Sequence, residues 1–394
     1  MRLLNKNTLL LFYAALAISA ILFVNCNRQT TGSSRSSTKY YSWEEFSMGV
    51  DLSYVNQVQD YGGKFKDEGR EKDPFRIFRD HGANTVRVRL WHNPQWQAAL
   101  NNGRLYNDIY DVAKTIKRAK AAGMAVNLDI HYSDTWADPA HQEKPAAWQN
   151  ISFEALKDSV YQYTLRVLLY LREQDLVPEI VQVGNENNNG MLFPDGKVIN
   201  NNWVPFTSLL KSGIKAVRDF SANSVIKPKI ILHVAQLQHA PRWVDSVIRG
   251  GGVNDFDIIG LSHYPKWSTV KSMEELSTVI RSLITTWKKK VMIVETAYPW
   301  TGLNADNYTN IISAADQFAN YTISPEGQQQ FLRDLTQHVI DGGGSGVMYW
   351  EPAWISSGLR DRWGQGSSWE NNALFDFNGN VLPAMDFMRY RYKF

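Results

Sequence analysis

The sequence is poor in cysteine and in histidine. Cys26 is the only cysteine among the 394 residues, so disulfides and thiolate chemistry are excluded from the chain that follows it. The eight histidines are scattered and form neither an HExxH motif nor a cluster, which argues against a zinc enzyme. Neither GxGxxG nor GxxxxGKS/T occurs, so the sequence does not indicate nucleotide chemistry.

The charge of the chain is nearly balanced beyond its first 39 residues. Five of the 42 basic residues precede Glu44, the first of the 39 acidic residues, so the rest of the chain carries two more acidic than basic side chains. This balance gives no electrostatic support for binding nucleic acid and suits a neutral, polar substrate. Hydrophobic residues make up 44% of the chain and charged residues 21%, as in a folded globular protein.

The N-terminus has the features of an export signal. Arg2 and Lys6 precede an uncharged apolar run of 17 residues over 8–24, which is typical of a signal peptide. Because this length is near the lower limit for spanning a bilayer, an uncleaved membrane anchor is the alternative. Cys26 stands where the run ends, as does the lipid-modified cysteine of bacterial lipoproteins, and an incidental thiol is the alternative.

These features predict three parts of the chain. They are a signal peptide over 1–26, a flexible linker over 27–42 that is rich in small polar residues, and a single folded domain over 43–394. We expect an exported protein, either a lipoprotein at the cell surface or in the periplasm, or a secreted one. Membrane contact is expected only through an N-terminal lipid anchor, and the protein is expected to be a monomer.

Short apolar runs alternate with longer amphipathic stretches from residue 46 onward. Strand and helix alternating through eight strands predict an α/β fold of one domain, a closed (β/α)8 TIM barrel rather than an open sheet. The predicted helices include 107–123, 152–174, 204–220, 273–290 and 324–343. The predicted strands are 48–53, 84–91, 124–132, 179–186, 229–235, 257–264, 291–298 and 346–352.

Most of the predicted strands end in an ionisable side chain. Barrels of this type place their functional sites at the C-terminal ends of the strands. A ring of such side chains therefore predicts a functional site at this end of the barrel. The ring consists of Asp51, Arg89, His131, Glu186, His263, Glu295 and Glu351.

Glu186 and Glu295 are suited to cutting a glycosidic bond. A retaining glycosidase holds two carboxylates about 5–5.5 Å apart; one protonates the leaving oxygen and the other attacks the anomeric carbon. Each glutamate ends an apolar strand, where burial of an unpaired carboxylate costs free energy. For either one, a structural salt bridge at the top of the barrel is the alternative to a catalytic role. Asn185 is predicted to hydrogen-bond a sugar 2-hydroxyl.

The alternation in the second strand places Arg87, Arg89 and Trp91 on one face, which we expect to be the barrel interior. Arg89, nearer the mouth, is predicted to hold a catalytic carboxylate ionised, and Arg87 to be a structural ion-pair partner. Tyr264 and His263 are predicted to orient the nucleophile from the neighbouring strand.

The 14 tryptophans favour a carbohydrate cleft, because flat aromatic rings stack on the apolar faces of pyranoses. Trp267 and Trp354 also lie just beyond strand ends, whereas Trp203 and Trp243 are among those expected to be core. The predicted substrate-binding residues are Asp51, Arg89, Trp91, His131, Asp134, Trp136, Asn185, His263, Tyr264, Trp300 and Trp350.

A loop after the seventh strand places oxygen-bearing side chains at alternate positions: Asn304, Asp306, Tyr308 and Asn310. Calcium loops use similar spacing, so a structural calcium site is one interpretation. Because the set contains only one carboxylate and includes a phenol, a plain polar loop is the alternative. The chemistry itself is expected to need no cofactor.

Seven segments resemble the endo-β-1,4-galactanases (arabinogalactan endo-1,4-β-galactosidases) of glycoside hydrolase family 53, in a clan of retaining barrel glycosidases. In order along the chain they are GVDLSYVNQVQDYGG, GANTVRVRLWHNP, LDIHYSDTWADPAHQEKPAAW, VQVGNENNNGMLFPDG, IIGLSHYPKW, VETAYPWT and VMYWEPAW.

The resemblance implies hydrolysis of β-1,4-galactan or galacto-oligosaccharides by double displacement, with Glu186 as acid/base and Glu295 as nucleophile. Some family members bind calcium in the loop after strand seven, and this chain departs from their pattern at Asn304 and Tyr308. Two alternatives stay open: an endo-glycanase of the same clan acting on mannan, xylan or glucan, and a non-catalytic lipoprotein that captures glycans.

Overall fold

The computed structural model describes residues 41–394. The predicted signal peptide, Cys26 and nearly all of the predicted linker lie outside these residues. Tyr41, assigned to the linker by prediction, is buried and its ring contacts Phe46 and Phe394, so it belongs with the folded body. Within the described part of the chain, no helix is long and apolar enough to cross a bilayer.

Eight parallel strands close into a barrel in which each strand pairs with its neighbours along the chain, and the first strand pairs with both the second and the last. The (β/α)8 barrel and all eight predicted strands are thereby confirmed. The strands are β1 Ser47–Asp51, β2 Thr85–Leu90, β3 Ala125–Ile130, β4 Ile180–Val183, β5 Lys229–Ala235, β6 Ile258–His263, β7 Lys290–Thr296 and β8 Gly346–Tyr349.

Helices surround the barrel, and the five longest match the predicted amphipathic stretches. The α-helices of the described residues are α1 Val55–Asp60, α2 Pro74–Asp80, α3 Ile109–Ala121, α4 Phe153–Arg172, α5 Val204–Ala222, α6 Ala240–Asp245, α7 Met273–Trp287 and α8 Pro325–Asp341.

Local sequence sets where the long helices begin. The side chains of Asp108, Ser152, Ser272 and Ser324 each accept a hydrogen bond from a backbone N–H of the first turn, which satisfies a donor that has no partner within the helix. Pro325 directly follows the capping residue Ser324. At this first helical position the backbone N–H has no partner within the helix, so its absence in proline costs no hydrogen bond.

The barrel interior changes from apolar to polar along its axis. A small apolar cluster fills one end and includes Ile180, Ile231, Ile258, Met292 and Met348. Toward the C-terminal ends of the strands, charged and amide side chains replace it. The polar end of the barrel therefore forms the floor of the site described next.

Candidate active site

A cavity of about 580 Å³ opens at the C-terminal ends of the barrel strands, where barrels of this type place their sites. Its wall combines carboxylates, amides and four tryptophans. The lining residues include Arg87, Arg89, His131, Trp136, Asn185, Glu186, Tyr264, Trp267, Glu295, Trp350 and Trp369.

The two predicted catalytic glutamates meet in this cavity. Glu295 lies near the end of β7, and Glu186 lies three residues beyond β4 with a left-handed backbone (φ 47°). One carboxylate oxygen of each comes within 4.8 Å of the other, which agrees with the separation of a retaining pair. Left-handed backbone at a non-glycine residue costs free energy and is common at functional sites.

Glu295 has a cation and a phenol as neighbours. Arg87 Nη2 lies 2.8 Å from one carboxylate oxygen, and the Tyr264 hydroxyl donates to the other at 2.9 Å. Burial raises the pKa of Glu295, and the adjacent Arg87 opposes that rise. Both contacts favour the ionised carboxylate that a nucleophile requires.

Glu186 has a neutral neighbour instead. The Ser262 hydroxyl donates to its Oε1 at 2.5 Å. Burial and then the negative charge of Glu295 raise the pKa of Glu186 well above its usual value. Because no cation contacts it, Glu186 holds its proton more tightly than Glu295. Such a difference between paired carboxyls distinguishes the general acid from the nucleophile.

His233 contacts Ser262, the residue that donates to Glu186. Its Nε2 lies 2.9 Å from Ser262 Oγ, and its Nδ1 is within reach of the backbone N–H of Glu186 at 3.3 Å and of the Gln182 amide at 3.1 Å. Nδ1 also lies 2.9 Å from the acceptor Asn185 Oδ1, so polar contacts connect Asn185, His233, Ser262 and Glu186 in series. Burial and then Arg87 hold the pKa of His233 well below its usual range, which keeps the ring neutral.

His233 also lies close enough to Glu186 and Glu295 for the three to be considered as metal ligands. Both of its ring nitrogens already face protein groups, including Ser262 and Gln182. The three residues therefore do not offer a preformed metal site.

Arg87, rather than Arg89, contacts the nucleophile candidate, which corrects the prediction. Arg87 is 1% exposed and also pairs with Asp51 and Asp129 at 2.8 Å each. It donates to Asn185 Oδ1 at 2.8 Å as well, so one guanidinium fixes the floor beneath both glutamates.

Arg89 pairs with Glu351 at 2.5 Å. Its guanidinium lies between the rings of Tyr54 and Trp136, 4.3 and 4.1 Å from their centroids, where cation–π attraction holds it. Arg89 still lines the cavity, and its Nε and Nη2 make no hydrogen bond within the described residues. Both nitrogens are almost inaccessible to solvent, so a contact between Arg89 and substrate stays a prediction.

His131, Trp136, Asn185, Tyr264 and Trp350 also lie on the cavity wall, as predicted. His131 is oriented by Asp129 at 3.0 Å and by the backbone N–H of Ala137 at 3.0 Å. Asn185 donates to Ala137 O at 2.7 Å, which commits one of its two N–H groups.

Five predicted substrate-binding residues do not lie on the wall. Asp51 is buried beneath Arg87, and Trp91 is fully buried behind Trp136 with ring centroids 5.3 Å apart. Asp134 instead accepts hydrogen bonds from the backbone of Asn93 and Ala146.

His263 and Trp300 face away for different reasons. His263 points out of the barrel toward Phe318, because its neighbours Ser262 and Tyr264 face inward. Trp300 packs on Phe377 and donates to Glu370 O at 3.0 Å.

The sequence analysis did not predict Ser262, which contacts Glu186, or Gln236 and Trp369, which line the cavity. Ser262 could have been found, since strand alternation places it on the same face as Tyr264. Gln236 and Trp369 lie in irregular segments, where no periodicity predicts the direction of a side chain.

The four residues of the predicted calcium loop are engaged with other protein groups. Asp306 accepts from Ser356 Oγ at 2.5 Å and from the backbone of Ser367 at 2.9 Å. Tyr308 donates to Asp361, and Asn310 donates to Asn304 at 2.6 Å. Among the four side chains, Asn310 Oδ1 is a buried oxygen without a hydrogen-bond partner, and one such oxygen is fewer than a calcium cage needs.

A closed (β/α)8 barrel with paired glutamates at its mouth defines the class of this protein: it is a glycoside hydrolase. The chain belongs to glycosyl hydrolase family 53, whose family model matches residues 47–388.

Similar proteins agree with this assignment. The chain is 44% identical over 353 residues to an arabinogalactan endo-beta-1,4-galactanase of Cellvibrio japonicus, covering 88% of this chain and 92% of that protein. It is 33% identical over 382 residues to an endo-beta-1,4-galactanase of Bacillus subtilis, covering 88% and 86%.

Among solved structures, the GH53 catalytic domain of Ignisphaera aggregans superposes with a TM-score of 0.80 at 37% identity, covering 89% of this chain and 97% of that one. A structure of fungal beta-1,4-galactanases superposes with a TM-score of 0.73 at 32% identity, covering 87% and 98%.

Proposed function

We propose that this protein is an endo-β-1,4-galactanase that cleaves galactan by double displacement. The observation that carries the proposal is the pair of glutamates whose carboxylate oxygens come within 4.8 Å of each other in a cavity lined by tryptophans. The galactanases named among its relatives support β-1,4-galactan as the substrate.

In the first step, Glu295 attacks the anomeric carbon while Glu186 donates its proton to the glycosidic oxygen. The bond from carbon to the leaving oxygen breaks as the bond to Glu295 forms, so the leaving chain departs with a new hydroxyl. Arg87 and Tyr264 favour the ionised form of Glu295 and fix its orientation before substrate arrives, which lowers the cost of reaching the attacking geometry.

In the second step, water attacks the same carbon from the side the leaving group has vacated. Glu186, now ionised, removes a proton from this water, and the bond to Glu295 breaks. Both carboxyls thereby return to their starting states. The hydrogen bond from Ser262 holds Glu186 in one orientation through both proton transfers.

The aromatic wall suits the substrate. Trp136, Trp267, Trp350 and Trp369 line the cavity, and indole rings pack well against the C–H faces of a pyranose.

A substrate panel tests this function. We expect the purified protein to release reducing ends from β-1,4-galactan and not from β-mannan, xylan or β-glucan. Cleavage of one of those polymers in preference to galactan would favour another endo-glycanase activity. Galactan binding without any release of reducing ends would identify a glycan-capture protein instead.

We also propose that the protein is exported, acts as a monomer and is anchored by a lipid on Cys26. The basic residues and apolar run before this cysteine support the proposal. Labelled palmitate should enter the wild-type protein but not Cys26→Ser, and the variant should leave the membrane fraction. A wild-type protein that stays unlabelled would contradict lipidation.

A further inference from the structure

A cavity of about 230 Å³ opens at the N-terminal ends of the barrel strands, opposite the active site. The first residues of β4, β5, β6 and β7 line it: Ile180, Lys229, Ile258 and Lys290. Residues at this end of a TIM barrel serve stability and take no part in the reaction. We infer that the face around this cavity, the basal face, docks on the surface of an anionic lipid bilayer.

Three exposed lysines converge on the cavity: Lys229, Lys288 and Lys290. Within residues 41–394, none of the three pairs with a carboxylate, and Lys290 Nζ contacts only the backbone carbonyl of Glu44, at 3.4 Å. Lys288 ends α7 with left-handed backbone, φ 54°, at a position where glycine avoids the cost that a lysine incurs. These contacts leave the three ammonium groups accessible to a negatively charged surface.

The carboxylates near the lysines are mostly compensated. Asp257, which lines the cavity, pairs with Arg218 at 3.1 Å, and Asp255 pairs with the same guanidinium at 2.8 Å. Lys289 lies against this loop and donates to two of its backbone carbonyls, so two cations balance the two aspartates. Glu44 is then the one uncompensated carboxylate on the wall. Three lysines against one glutamate give the cavity a local charge of about +2, which complements lipid phosphates.

Aromatic side chains lie on the same face. Trp43 lines the cavity and packs against the apolar cluster at this end of the barrel. Phe394 is 68% exposed and contacts Phe46, the residue before β1, with ring centroids 5.8 Å apart. Tyr390 is 43% exposed, and the exposed Lys393 stands beside Phe394 in the sequence. Aromatic rings next to cations are typical of protein surfaces that lie at the interface between lipid and water.

The chain also enters the folded body on the basal face. Tyr41 packs against Phe46 and Phe394, and 14 residues separate it from Cys26. Fully extended, that segment spans at most about 55 Å, so a lipid on Cys26 would favour contact through this face. This step rests on the anchor proposed above, whereas the charge and the aromatic residues do not. Docking in this orientation directs the active-site cavity, at the other end of the barrel, away from the bilayer.

Vesicle sedimentation of residues 27–394 tests the inference without the anchor, because the barrel closes within residues 41–394. The vesicles contain phosphatidylglycerol and phosphatidylcholine in equal parts, or phosphatidylcholine alone. We expect binding to the anionic vesicles only, and weaker binding in added salt. Lys229→Gln, Lys288→Gln and Lys290→Gln together should lower the partition coefficient about 100-fold, from the attraction that three lysines contribute near an anionic surface.

Lys114→Gln, Lys211→Gln and Lys271→Gln together are the matched control, since they remove the same charge. These lysines are exposed and lie in the N-terminal halves of α3 and α5 and just before α7, nearer the active-site end of the barrel. The control should bind anionic vesicles within about two-fold of the wild type, because its substitutions lie beyond the screening length from the basal face. Circular dichroism should show the same fold in both triple variants.

Three results would overturn the inference: no binding of the wild type to anionic vesicles, equal binding to neutral vesicles, or equal losses in the two triple variants. Sedimentation measures neither galactan hydrolysis nor lipidation. A protein that docks but cuts no galactan would refute the proposed function alone, and a protein that cuts galactan but does not dock would refute this inference alone.

Discussion

The guanidinium of Arg87 and the carboxylate of Glu295 are 2.8 Å apart, and both side chains are buried in the floor of the cavity. Glu186, on the opposite side of the reacting centre, has a serine hydroxyl in the equivalent place. This difference in neighbours assigns the two glutamates to different roles. The cation favours the ionised form of Glu295, which attacks, and Glu186 carries the proton.

Replacing the nucleophile should abolish turnover while sparing binding. We expect Glu295→Ala to lose galactan hydrolysis and to keep galactan affinity, measured by affinity electrophoresis, because the tryptophan wall is untouched. Azide fits the space left by the carboxylate and should restore turnover, giving an α-galactosyl azide. Glu154→Ala, at an exposed position on α4, should behave as the wild type. Wild-type turnover in Glu295→Ala would refute the assigned role.

Removing the hydroxyl that binds Glu186 should move the alkaline limb of the pH profile. The Ser262 hydrogen bond favours the ionised carboxylate and so lowers the pKa of Glu186 in part. Glu186 acts in its protonated form, so Ser262→Ala should raise its pKa and shift the alkaline limb of kcat/KM upward by about one pH unit. The acidic limb, set by Glu295, should move less.

Ser159→Ala provides the control for that profile, since Ser159 only bonds a carbonyl within α4. Its two limbs should coincide with those of the wild type. A downward shift of the alkaline limb in Ser262→Ala would show that the serine does not stabilise the ionised form of Glu186.

Arg87 should matter for stability as well as for catalysis. Arg87→Met leaves Asp51, Asp129 and Glu295 without their shared cation, and removing one partner of a buried ion pair costs about 3–5 kcal/mol. Urea denaturation at pH 7 should show a loss of that size. Arg104→Met, which removes an exposed pair with Asp60, should cost less than about 1 kcal/mol. Equal losses in the two variants would contradict the structural role of Arg87.

Chelation of divalent cations should leave the fold unchanged. Asp306 and Tyr308 are bound to Ser356, Ser367 and Asp361, so protein contacts hold the loop after β7. The thermal unfolding midpoint should be the same before and after dialysis against EDTA. A lower midpoint after EDTA that calcium restores would show that an ion contributes to the loop.

Strand periodicity predicted most of the fold, because each barrel strand carries a short apolar run. It also placed Arg87 and Arg89 in the interior. It could not assign their partners, since alternation fixes the face of a side chain and not which carboxylate lies opposite. For this reason the contact with a catalytic carboxylate was predicted for Arg89, whereas Arg87 makes it.

The aromatic residues were harder to place. Trp91 and Trp350 both follow strand ends, yet only Trp350 reaches the cavity, because Trp136 covers Trp91. Conversely, Trp203 was expected to be core and lies on a cavity wall. Whether an aromatic ring is covered depends on loops from distant parts of the chain, and local sequence carries no signal for that.

The stereochemistry of the first product tests the central claim most directly. Proton NMR during the first minutes of galacto-oligosaccharide hydrolysis distinguishes the anomers before mutarotation mixes them. Two displacements by Glu295 and then water predict that the β anomer appears first. The α anomer appearing first would show a single displacement and would contradict the assignment of Glu295 as the nucleophile.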